Sequence, residues 1–389
     1  MSPQRGPDCL VVGGGLEGLA VAYGLAAGGG RVTILERGSR CGDQASAAAA
    51  GMLAQGAEAT EGGPFLALCR LSWGLWPEFA SGLARASGVD CELEQSGLLR
   101  LATDTAGVER LRLQAEAQRH DGVQVSRVLS PEELRRLLPG LGHKVLAGLH
   151  YPQDGHVHSH RVVDALVGAC RGLGVAVETD TEVESCSLVR GRPRLTVKGG
   201  EARACDFLIV AAGSWSGSLI PGKPGDGSLV EPIRGQIVAV DPGRRLLSQI
   251  VYGDHGYLLQ KRSGLVLLGS TEERAGFDSW ATLAGVADIL PAVLDLVPEL
   301  GQARVAHVWA GLRPRFRDGL PLLGRLEPGC PILMATGHFR NGVLLAPATS
   351  QLLVRAVLEG EDPPELRPFS PVGRLGAAAP AHPRPKSRP

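Results

Sequence analysis

The chain has 389 residues, which is long enough for a large core and usually for two domains. Its hydrophobic fraction of 44% is that of an ordinary globular protein, and its 40 basic residues balance 40 acidic ones. This zero net charge argues against a dedicated nucleic-acid or membrane-surface binder, because both normally carry a basic excess.

The cysteines and the apolar runs indicate the expected cellular compartment of the protein. None of the eight cysteines forms a CxxC pair, so we expect reduced thiols and neither a zinc ribbon nor a thioredoxin-type site. The start, MSPQRGPDCLVVGGG, does not have the pattern of a signal peptide, and no run of 18 apolar residues predicts a membrane span. The expected location is the cytoplasm.

The first elements predict a β-α-β unit. Residues 9–13 and 31–36 have the composition of buried strands, and the alanine-rich segment 16–27 between them is typical of a helix. Further along, one or two strands are predicted at 175–188, a buried strand at 206–213, and an antiparallel sheet at 230–269. The remaining predicted helices span 64–87, 106–119, 131–138, 161–173, 281–297 and 344–359. The tail 371–389 is rich in Pro, Ala and basic residues and is expected to be disordered.

A glycine motif joins the first strand to the first helix. Gly13, Gly15 and Gly18 have the GxGxxG spacing, and Glu36 stands at the end of the second strand. Gly13 permits a tight turn, Gly15 lets a pyrophosphate approach the backbone, and Gly18 lets the helix pack close to the strand. Glu36 can accept hydrogen bonds from a ribose, and an acid there disfavours a 2′-phosphate. The sequence therefore predicts a dinucleotide site other than one for NADP.

Three later features favour FAD over NAD. The segment 44–53, QASAAAAGML, offers small residues where a flat ring could approach the backbone. A second strand that runs into glycine occurs at 206–217, and GHFRNG at 337–342 returns to glycine near the end. A cofactor domain built from such distant segments suits a flavin enzyme. In GHFRNG, Arg340 precedes a predicted helix N-terminus, an unfavourable place for a cation unless an anion lies nearby.

On these motifs the chain resembles the D-amino-acid oxidase superfamily of FAD-dependent oxidoreductases, and within it the glycine oxidases of the thiamine pathway. The resemblance runs from about residue 8 to 367. Its more specific elements are VWAGLRPRFRDGLPLLGR and GHFRNGVLLAPAT, whereas VVGGGLEG, SAAAAGML and AAGSWSG are shared by much of the superfamily.

The resemblance implies an α/β fold (α+β overall) with a split Rossmann-type FAD-binding domain and a substrate domain whose sheet is mostly antiparallel. The FAD-binding domain would comprise 8–90, 150–228 and 306–367. The substrate domain would comprise 91–149 and 229–305. A homo-oligomer, by resemblance a tetramer, is also implied.

The implied activity is oxidative deamination of glycine, with sarcosine and small D-amino acids as further candidate substrates, oxygen as acceptor and peroxide as product. The imine would supply the thiazole of thiamine. The alternatives are another small-amine or D-amino-acid oxidase or dehydrogenase, or an FAD amine oxidase that modifies tRNA. The zero net charge opposes the tRNA alternative. We expect a small amino acid and O2 as partners, with no nucleic acid and no membrane.

The resemblance also assigns substrate residues. Arg313 in GLRP would grip the substrate carboxylate, Tyr257 would add a hydrogen bond to it, and Arg340 would lie near flavin and substrate. An arginine suits this work because it pairs with a carboxylate through two charge-assisted hydrogen bonds. No catalytic side-chain base is required if the amine is bound neutral.

The implied FAD contacts cover the glycine motif and four further segments. They are Gly13, Gly15, Leu16, Glu17, Gly18, Glu36, Arg37, Ser46, Ala50, Gly51, Met52, Val183, His338, Phe339, Arg340, Asn341, Gly342, Val343 and Leu344. The FAD is expected to be noncovalent, because relatives with a covalent flavin carry a cysteine after the arginine motif and RPRFRDGLPLLGR has none.

Two positions depart from the family pattern, and one group of histidines suggests another site. Ala45 stands where relatives commonly have a polar residue, and Glu272 where they often have an apolar one. Glu272 could favour a particular amine or could face solvent. His156, His158 and His160 alternate, as metal ligands on a strand would. No carboxylate or cysteine cluster accompanies them, so no metal is expected.

Overall fold

The computed structural model describes residues 6–200, 202–223 and 229–376. These ranges contain eighteen strands in four sheets. In chain order the strands are β1 (Asp8–Val12), β2 (Arg31–Leu35), β3 (Met52–Leu53), β4 (Leu98–Ala102), β5 (Ala147–Tyr151), β6 (Gly155–His156), β7 (Ala176–Glu178), β8 (Val183–Val189), β9 (Arg192–Val197), β10 (Ala202–Ala204), β11 (Phe207–Val210), β12 (Val230–Asp241), β13 (Ile250–Gly253), β14 (Gly256–Gln260), β15 (Val266–Gly269), β16 (Arg304–Phe316), β17 (Leu322–Arg325) and β18 (Ile332–Thr336).

The same ranges contain nine α-helices and four short 3-10 helices. The α-helices are α1 (Leu16–Ala27), α2 (Ala45–Ala48), α3 (Gln55–Glu58), α4 (Pro64–Ser87), α5 (Thr105–His120), α6 (Pro131–Leu137), α7 (Ser159–Gly172), α8 (Leu283–Leu296) and α9 (Gly342–Leu358). The 3-10 helices span Gly213–Leu219, Pro298–Gln302, Phe339–Asn341 and Pro364–Phe369.

A six-stranded sheet with the order β17-β18-β11-β1-β2-β7 forms the first layer. All its pairs are parallel except β17 with β18. Parallel strands covered on both faces are apolar throughout, which explains runs such as FLIV in β11 and ILMAT in β18. The predicted β-α-β opening is confirmed as β1, α1 and β2. The strands come from widely separated segments, as the split Rossmann-type prediction requires.

A seven-stranded sheet with the order β16-β12-β15-β14-β13-β4-β5 forms the second layer. It is antiparallel except where β13 pairs with β4, so the predicted antiparallel sheet at 230–269 is confirmed. Its longest pair is β12 with β16, which runs from Val230 opposite Phe316 to Asp241 opposite Arg304, with a β-bulge between Ala239 and Val240. The smaller sheets are β10-β9-β8 and β3-β6.

The strands of the six-stranded sheet all lie inside the three segments predicted for the FAD-binding domain. The predicted limits at 149/150 and 305/306 fall within β5 and β16. Both of these strands belong to the seven-stranded sheet.

Helix α9 is the most deeply buried helix of the first layer and packs against α1 and α4. With the preceding 3-10 turn it is long and apolar enough to cross a membrane, at a mean hydropathy of 1.2 over 18 residues, and 72% of that window is buried inside the fold. Its apolar character is therefore accounted for by its position in the core.

Pro347 lies inside α9 and has no N–H to donate, so it interrupts the hydrogen bonding of this helix. Side chains of α4 supply hydrogen bonds to the backbone of α9 at this point. The Ser72 hydroxyl donates to the Leu344 carbonyl at 2.6 Å and accepts from the Ala348 amide at 3.1 Å. The Trp76 indole donates to the same carbonyl at 3.0 Å. Both side chains are completely buried. This bridge fixes α4 against the end of α9 that faces the site.

The predicted disordered tail begins too early. Residues 371–376 pack on the fold because the Arg374 guanidinium pairs with the Asp318 carboxylate at 2.7 and 2.9 Å. Arg374 also donates to the carbonyls of Pro321 and Phe369. A composition rich in Pro and Ala gave no sign of this pairing. The rest of the predicted tail, 377–389, lies outside the described residues.

Replacing Ser72 tests the bridge between α4 and α9. Ser72→Ala should lower the free energy of unfolding by about 1–3 kcal/mol, because it leaves the buried Ala348 N–H without a partner. The measurement is urea unfolding of the FAD-loaded protein. Ser81→Ala on the same helix is the matched control, since the Ser81 hydroxyl bonds only near its own turn. Equal stability of the two variants would contradict the proposed bridge.

Candidate active site

An extended cavity begins at the carboxyl ends of β1, β2, β11 and β18 and reaches β12, β14 and β16 of the other sheet. Ligands of open α/β sheets bind at this edge. Every predicted cofactor residue except Gly18, Asn341 and Leu344 lines the cavity. So do Tyr257, Arg313 and Arg340, together with the atypical Ala45. The fold therefore brings most of the predicted site together.

The three predicted residues outside the cavity wall support it from behind. A Cβ at Gly18 would lie 2.0 Å from the Gly13 carbonyl oxygen, so glycine lets α1 pack on β1 as predicted. Asn341 precedes the first residue of α9, and its backbone N–H donates to the His338 carbonyl at 2.9 Å. Leu344 supplies the carbonyl bound by Ser72 and Trp76.

The glycine motif has the geometry that a pyrophosphate needs. Gly13 has φ +105°, and a Cβ there would lie 2.4 Å from the Ala211 carbonyl oxygen. A Cβ at Gly15, in contrast, would meet only the Ser46 hydroxyl, at 3.5 Å, so this face of the backbone is open. Helix α1 begins directly after Gly15, and helix N-termini favour anions.

Glu36 anchors the nucleoside end of the cavity. Its two carboxylate oxygens accept from the amides of Gly14 and Gly38 at 2.7 and 2.8 Å. A carboxylate has about four lone-pair sites, so these bonds leave acceptors for ribose hydroxyls. Beside it the Arg37 guanidinium lies 3.4 Å from the centre of the Trp215 ring, and Val183 adds an apolar contact surface.

Small residues form the wall at the other end. Helix α2 approaches β16 so closely that a Cβ at Gly311 would lie 2.3 Å from the Ala48 Cβ. Gly51 has φ +81° and lies against the Val157 carbonyl. The predicted close approach of 44–53 to a flat ring is consistent with this geometry.

The GHFRNG segment turns sharply before α9 begins. Gly337 has φ +76° and Phe339 has φ +51°, an uncommon value for a bulky residue. Such conformations cluster at ligand sites. Helix α9 starts at Gly342, two residues before its predicted start, and both Gly342 and Val343 line the cavity. The positive end of the helix dipole therefore points into the cavity.

His338 and Glu17 form a buried pair beneath this turn. Their closest N–O distance is 3.5 Å, and the His338 Nε2 hydrogen-bonds with the Thr349 hydroxyl at 3.0 Å. Burial lowers the pKa of His338 to about 3 and raises the pKa of Glu17 well above its ordinary value. His338 is therefore neutral near pH 7, and burial favours the protonated form of Glu17. A neutral His338 that is hydrogen-bonded to Thr349 is placed to organise this turn.

Arg313 is held by neutral groups alone. Its guanidinium donates to the Ser270 hydroxyl at 2.6 Å and to the Thr271 carbonyl at 3.0 Å. Among the described residues it has no ion-pair partner. It lies across Gly235, where a Cβ would be 2.1 Å from an Arg313 nitrogen. Glycine at 235 therefore makes the room that the guanidinium occupies.

Tyr257 stands next to Arg313 in the same wall. Burial raises the pKa of Tyr257, while Arg313 and a hydrogen bond with Ser270 oppose the rise. The hydroxyl is thus protonated and able to donate. A Cβ at Gly269 would lie 2.5 Å from this hydroxyl, so glycine again provides the space.

Arg340 has the nearby anions that a cation before a helix N-terminus was expected to need. In the structure it pairs with Glu58 at 2.8 Å and Glu272 at 2.9 Å, and it contacts the Tyr252 hydroxyl. Glu272 therefore does not simply face solvent. Its partial burial raises the pKa of its carboxyl.

The alternating histidines do not form a metal site. Within residues 6–200, 202–223 and 229–376, no group of three or more His, Cys, Asp or Glu is placed to hold a metal ion. His156 is buried and stands opposite Met52 in the pair of β3 with β6. Burial lowers the pKa of His156 to about 3, and the positive charges of Lys261 and nearby arginines add to this effect. His158 and His160 lie side by side, with ring centres 5.8 Å apart.

Sequence reasoning missed four residues of the site. Ser270, Glu58, Gly235 and Trp215 all line the cavity. Glu58 and Ser270 are found only through arginines far away in the chain, so no local spacing marks them. Trp215 stands in the family motif AAGSWSG, which by itself assigns the residue no role, and Gly235 stands in VEPIRGQ.

The comparisons with known proteins agree with this geometry. Residues 8–356 match the sequence model of the family described as FAD dependent oxidoreductase (DAO). The chain is 32% identical to a glycine oxidase of Bacillus licheniformis over 351 residues, 90% of this chain and 93% of the relative. It is 33% identical to a glycine oxidase of Geobacillus kaustophilus over 371 residues, 95% of this chain and 97% of the relative.

Structural similarity points the same way. A crystal structure of glycine oxidase from Geobacillus kaustophilus superimposes with a TM-score of 0.88 at 32% identity, covering 94% of this chain and 98% of that one. The chain therefore belongs to the DAO family of FAD-dependent oxidoreductases.

The residues present fit FAD, the cofactor of this family. Gly15 leaves an open face for the pyrophosphate, and Glu36 has free acceptors for a ribose. At the other end the small side chains of α2 and the N-terminus of α9 border the space for the ring. Burial raises the pKa of Glu17 and so disfavours a negative charge that would repel the phosphates.

Acidification should destabilise the protein through His156. An unfolded histidine takes up a proton below about pH 6.5, whereas native His156 stays neutral down to about pH 3, so stability is lost as the pH falls through this window. Between pH 7.5 and 5.0 the loss from this residue should be about 2 kcal/mol. His156→Gln should remove it, as measured by urea unfolding at both pH values.

The exposed His143 provides the matched control, His143→Gln. An unchanged pH dependence in His156→Gln would contradict the buried neutral state of His156.

Proposed function

We propose that this protein is a glycine oxidase, which deaminates glycine and other small amines oxidatively with bound FAD and O2. Three facts support the proposal. The chain belongs to the DAO family, it is similar to glycine oxidases over nearly its whole length, and its cavity holds an arginine suited to a small amino acid.

Arg313 is the observation that carries the proposal. A partly buried guanidinium with only neutral partners retains its full charge for a ligand, and Ser270 and Thr271 fix its orientation. The Tyr257 hydroxyl adds a donor beside it. Two charge-assisted bonds to a carboxylate hold one end of a small substrate, so its α-carbon faces the space for the ring.

The side chains of the cavity act by binding and orientation. FAD supplies the electron sink for the hydride that leaves the α-carbon. The carboxylates near Arg313 are Glu58 and Glu272, and both are paired with Arg340. His338 is neutral and bound to Thr349. The amine therefore reacts in its neutral form, without a side-chain base.

The overall reaction balances with oxygen as the acceptor. Glycine loses two electrons and two protons to become the imine, and O2 takes up both pairs to become hydrogen peroxide. Water then hydrolyses the imine to glyoxylate and ammonia. In the thiamine pathway, as the resemblance implies, the thiazole-forming machinery would capture the imine before it meets water.

Glycine-driven oxygen consumption tests the function directly. The purified protein should be yellow, and glycine should cause oxygen uptake with one peroxide formed per oxygen consumed. An oxygen electrode and a peroxidase-coupled assay measure the two quantities. Sarcosine and D-alanine complete the panel and rank the small amines. Reduction of an added dye by glycine with no peroxide would instead indicate a dehydrogenase.

The resemblance extends the proposal to assembly and location. We expect a cytoplasmic homotetramer, and light scattering after size-exclusion chromatography would measure the oligomer.

Replacing Arg313 tests its role in binding the carboxylate. Arg313→Ala should raise the KM for glycine by about 100-fold or more, since two charge-assisted hydrogen bonds are lost. Arg304→Ala is the matched control, because Arg304 stands on the same strand, is 83% exposed and pairs with Asp241. Flavin absorbance should persist in both variants. Unchanged glycine kinetics in Arg313→Ala would contradict the assignment.

A further inference from the structure

The arginines of the cavity differ in how their charges are balanced. In the described part of the chain, three arginines line the cavity, namely Arg37, Arg313 and Arg340. Arg37 stacks on Trp215 at the nucleoside end. Arg313 has neutral partners, whereas Arg340 has two carboxylates within 3 Å. The two arginines near the substrate space are therefore not equivalent.

One of the two carboxylates around Arg340, that of Glu58, is fixed by the fold. Glu58 is the last residue of α3, and its side chain is only 10% exposed. The Asp154 carboxylate holds α3 in place by accepting from the amides of Gly56 and Ala57 at 3.0 and 3.1 Å. Glu58 is thus a built part of the cavity wall and not a mobile surface acid.

Glu272 comes from the segment that also holds Arg313. Ser270 and Thr271 bind Arg313, and the next residue, Glu272, binds Arg340. One short segment after β15 therefore orients one arginine with neutral groups and neutralises the other with a carboxylate. This arrangement separates the tasks of the two arginines.

We propose that Glu58 and Glu272 occupy Arg340 and thereby restrict the site to amines that carry a single carboxylate. The proposal rests on the function proposed above and names its substrate class. When both carboxylates are ionised, Arg340 and its two partners together bear one net negative charge, which repels a second carboxylate on a ligand. Arg313 alone takes the one carboxylate of glycine.

Removing one acid should open the site to dicarboxylates. In Glu272→Gln the group around Arg340 becomes neutral, and one side of its guanidinium is released for a ligand. A charge-assisted hydrogen bond corresponds to about a tenfold to hundredfold change in affinity. The ratio of dicarboxylate to monocarboxylate affinity should therefore rise by at least about tenfold.

The test is a titration of the FAD-loaded protein at pH 8 with non-oxidisable ligands. Acetate is the monocarboxylate, and malonate, succinate and glutarate are dicarboxylates of increasing length. Each dissociation constant comes from the change in the flavin absorption spectrum. Glu58→Gln is the second variant, which keeps the proposal testable if Glu272→Gln fails to fold. Glu231→Gln is the matched control, because Glu231 pairs with Arg274 and Arg315 outside the cavity.

The expected result is tighter binding of at least one dicarboxylate, relative to acetate, in Glu272→Gln or Glu58→Gln but not in Glu231→Gln. Adding Arg340→Met to the responding variant should abolish the gain. Unchanged ratios in both variants, or a gain that survives Arg340→Met, would overturn the proposal.

Turnover separates this proposal from the function it rests on. Iminodiacetate is an amine that carries two carboxylates. The ratio of its kcat/KM to that of glycine should rise at least about tenfold in the responding variant. If the wild-type enzyme does not oxidise glycine, the proposed function fails, while the acetate and dicarboxylate titrations still decide the role of Arg340. If glycine is oxidised and the ligand ratios do not change, only the selectivity proposal fails.

Discussion

The pairing of β12 with β16 is the constraint on which the site depends. At one end of this ladder, Val230 and Phe316 are buried in the core that contains Leu10, Leu208 and Met334 of the six-stranded sheet. At the other end, Val238 and Val240 of β12 are buried in the core of the seven-stranded sheet. One continuous two-stranded ladder therefore belongs to both cores, and Arg313 lies on it.

This shared ladder explains how residues from distant segments reach one cavity. Gly235 on β12 stands opposite Gly311 on β16. The first glycine leaves room for Arg313, and the second lets α2 approach with its alanines. Neither residue of this cross-strand pair has a side chain. The position of Arg313 depends on Gly235, and the close approach of α2 depends on Gly311. A larger residue at either position would force backbone or guanidinium to move, since interiors are close-packed.

The sequence could predict elements that depend on local patterns. The spans of α1 and α4 agree with prediction at both ends. An alanine-rich apolar run defines α1, a helical apolar period defines α4, and glycines flank both helices. The β-α-β unit and its glycine motif could also be predicted from local patterns. The partners of Arg340 could not be predicted, because Glu58 lies 282 residues away and the side chains of Glu58, Glu272 and Arg340 meet only after both sheets have formed. The packing of Arg374 on Asp318 across 56 residues escaped prediction for the same reason.

The two ends of the cavity are built from different chemistry, and this has a consequence for how substrate preference can change. The cofactor end depends on glycines, alanines, backbone amides and a helix N-terminus, so most changes there introduce atoms into occupied space. The substrate end depends on charges, and residues 270–272 contact both of its arginines. Glu272 is the charged residue of this segment, and the segment follows a strand of the seven-stranded sheet, so a substitution of Glu272 alters the charge balance outside the sheet that carries the nucleotide end. Substrate class can therefore change at the segment after β15 while FAD binding is retained.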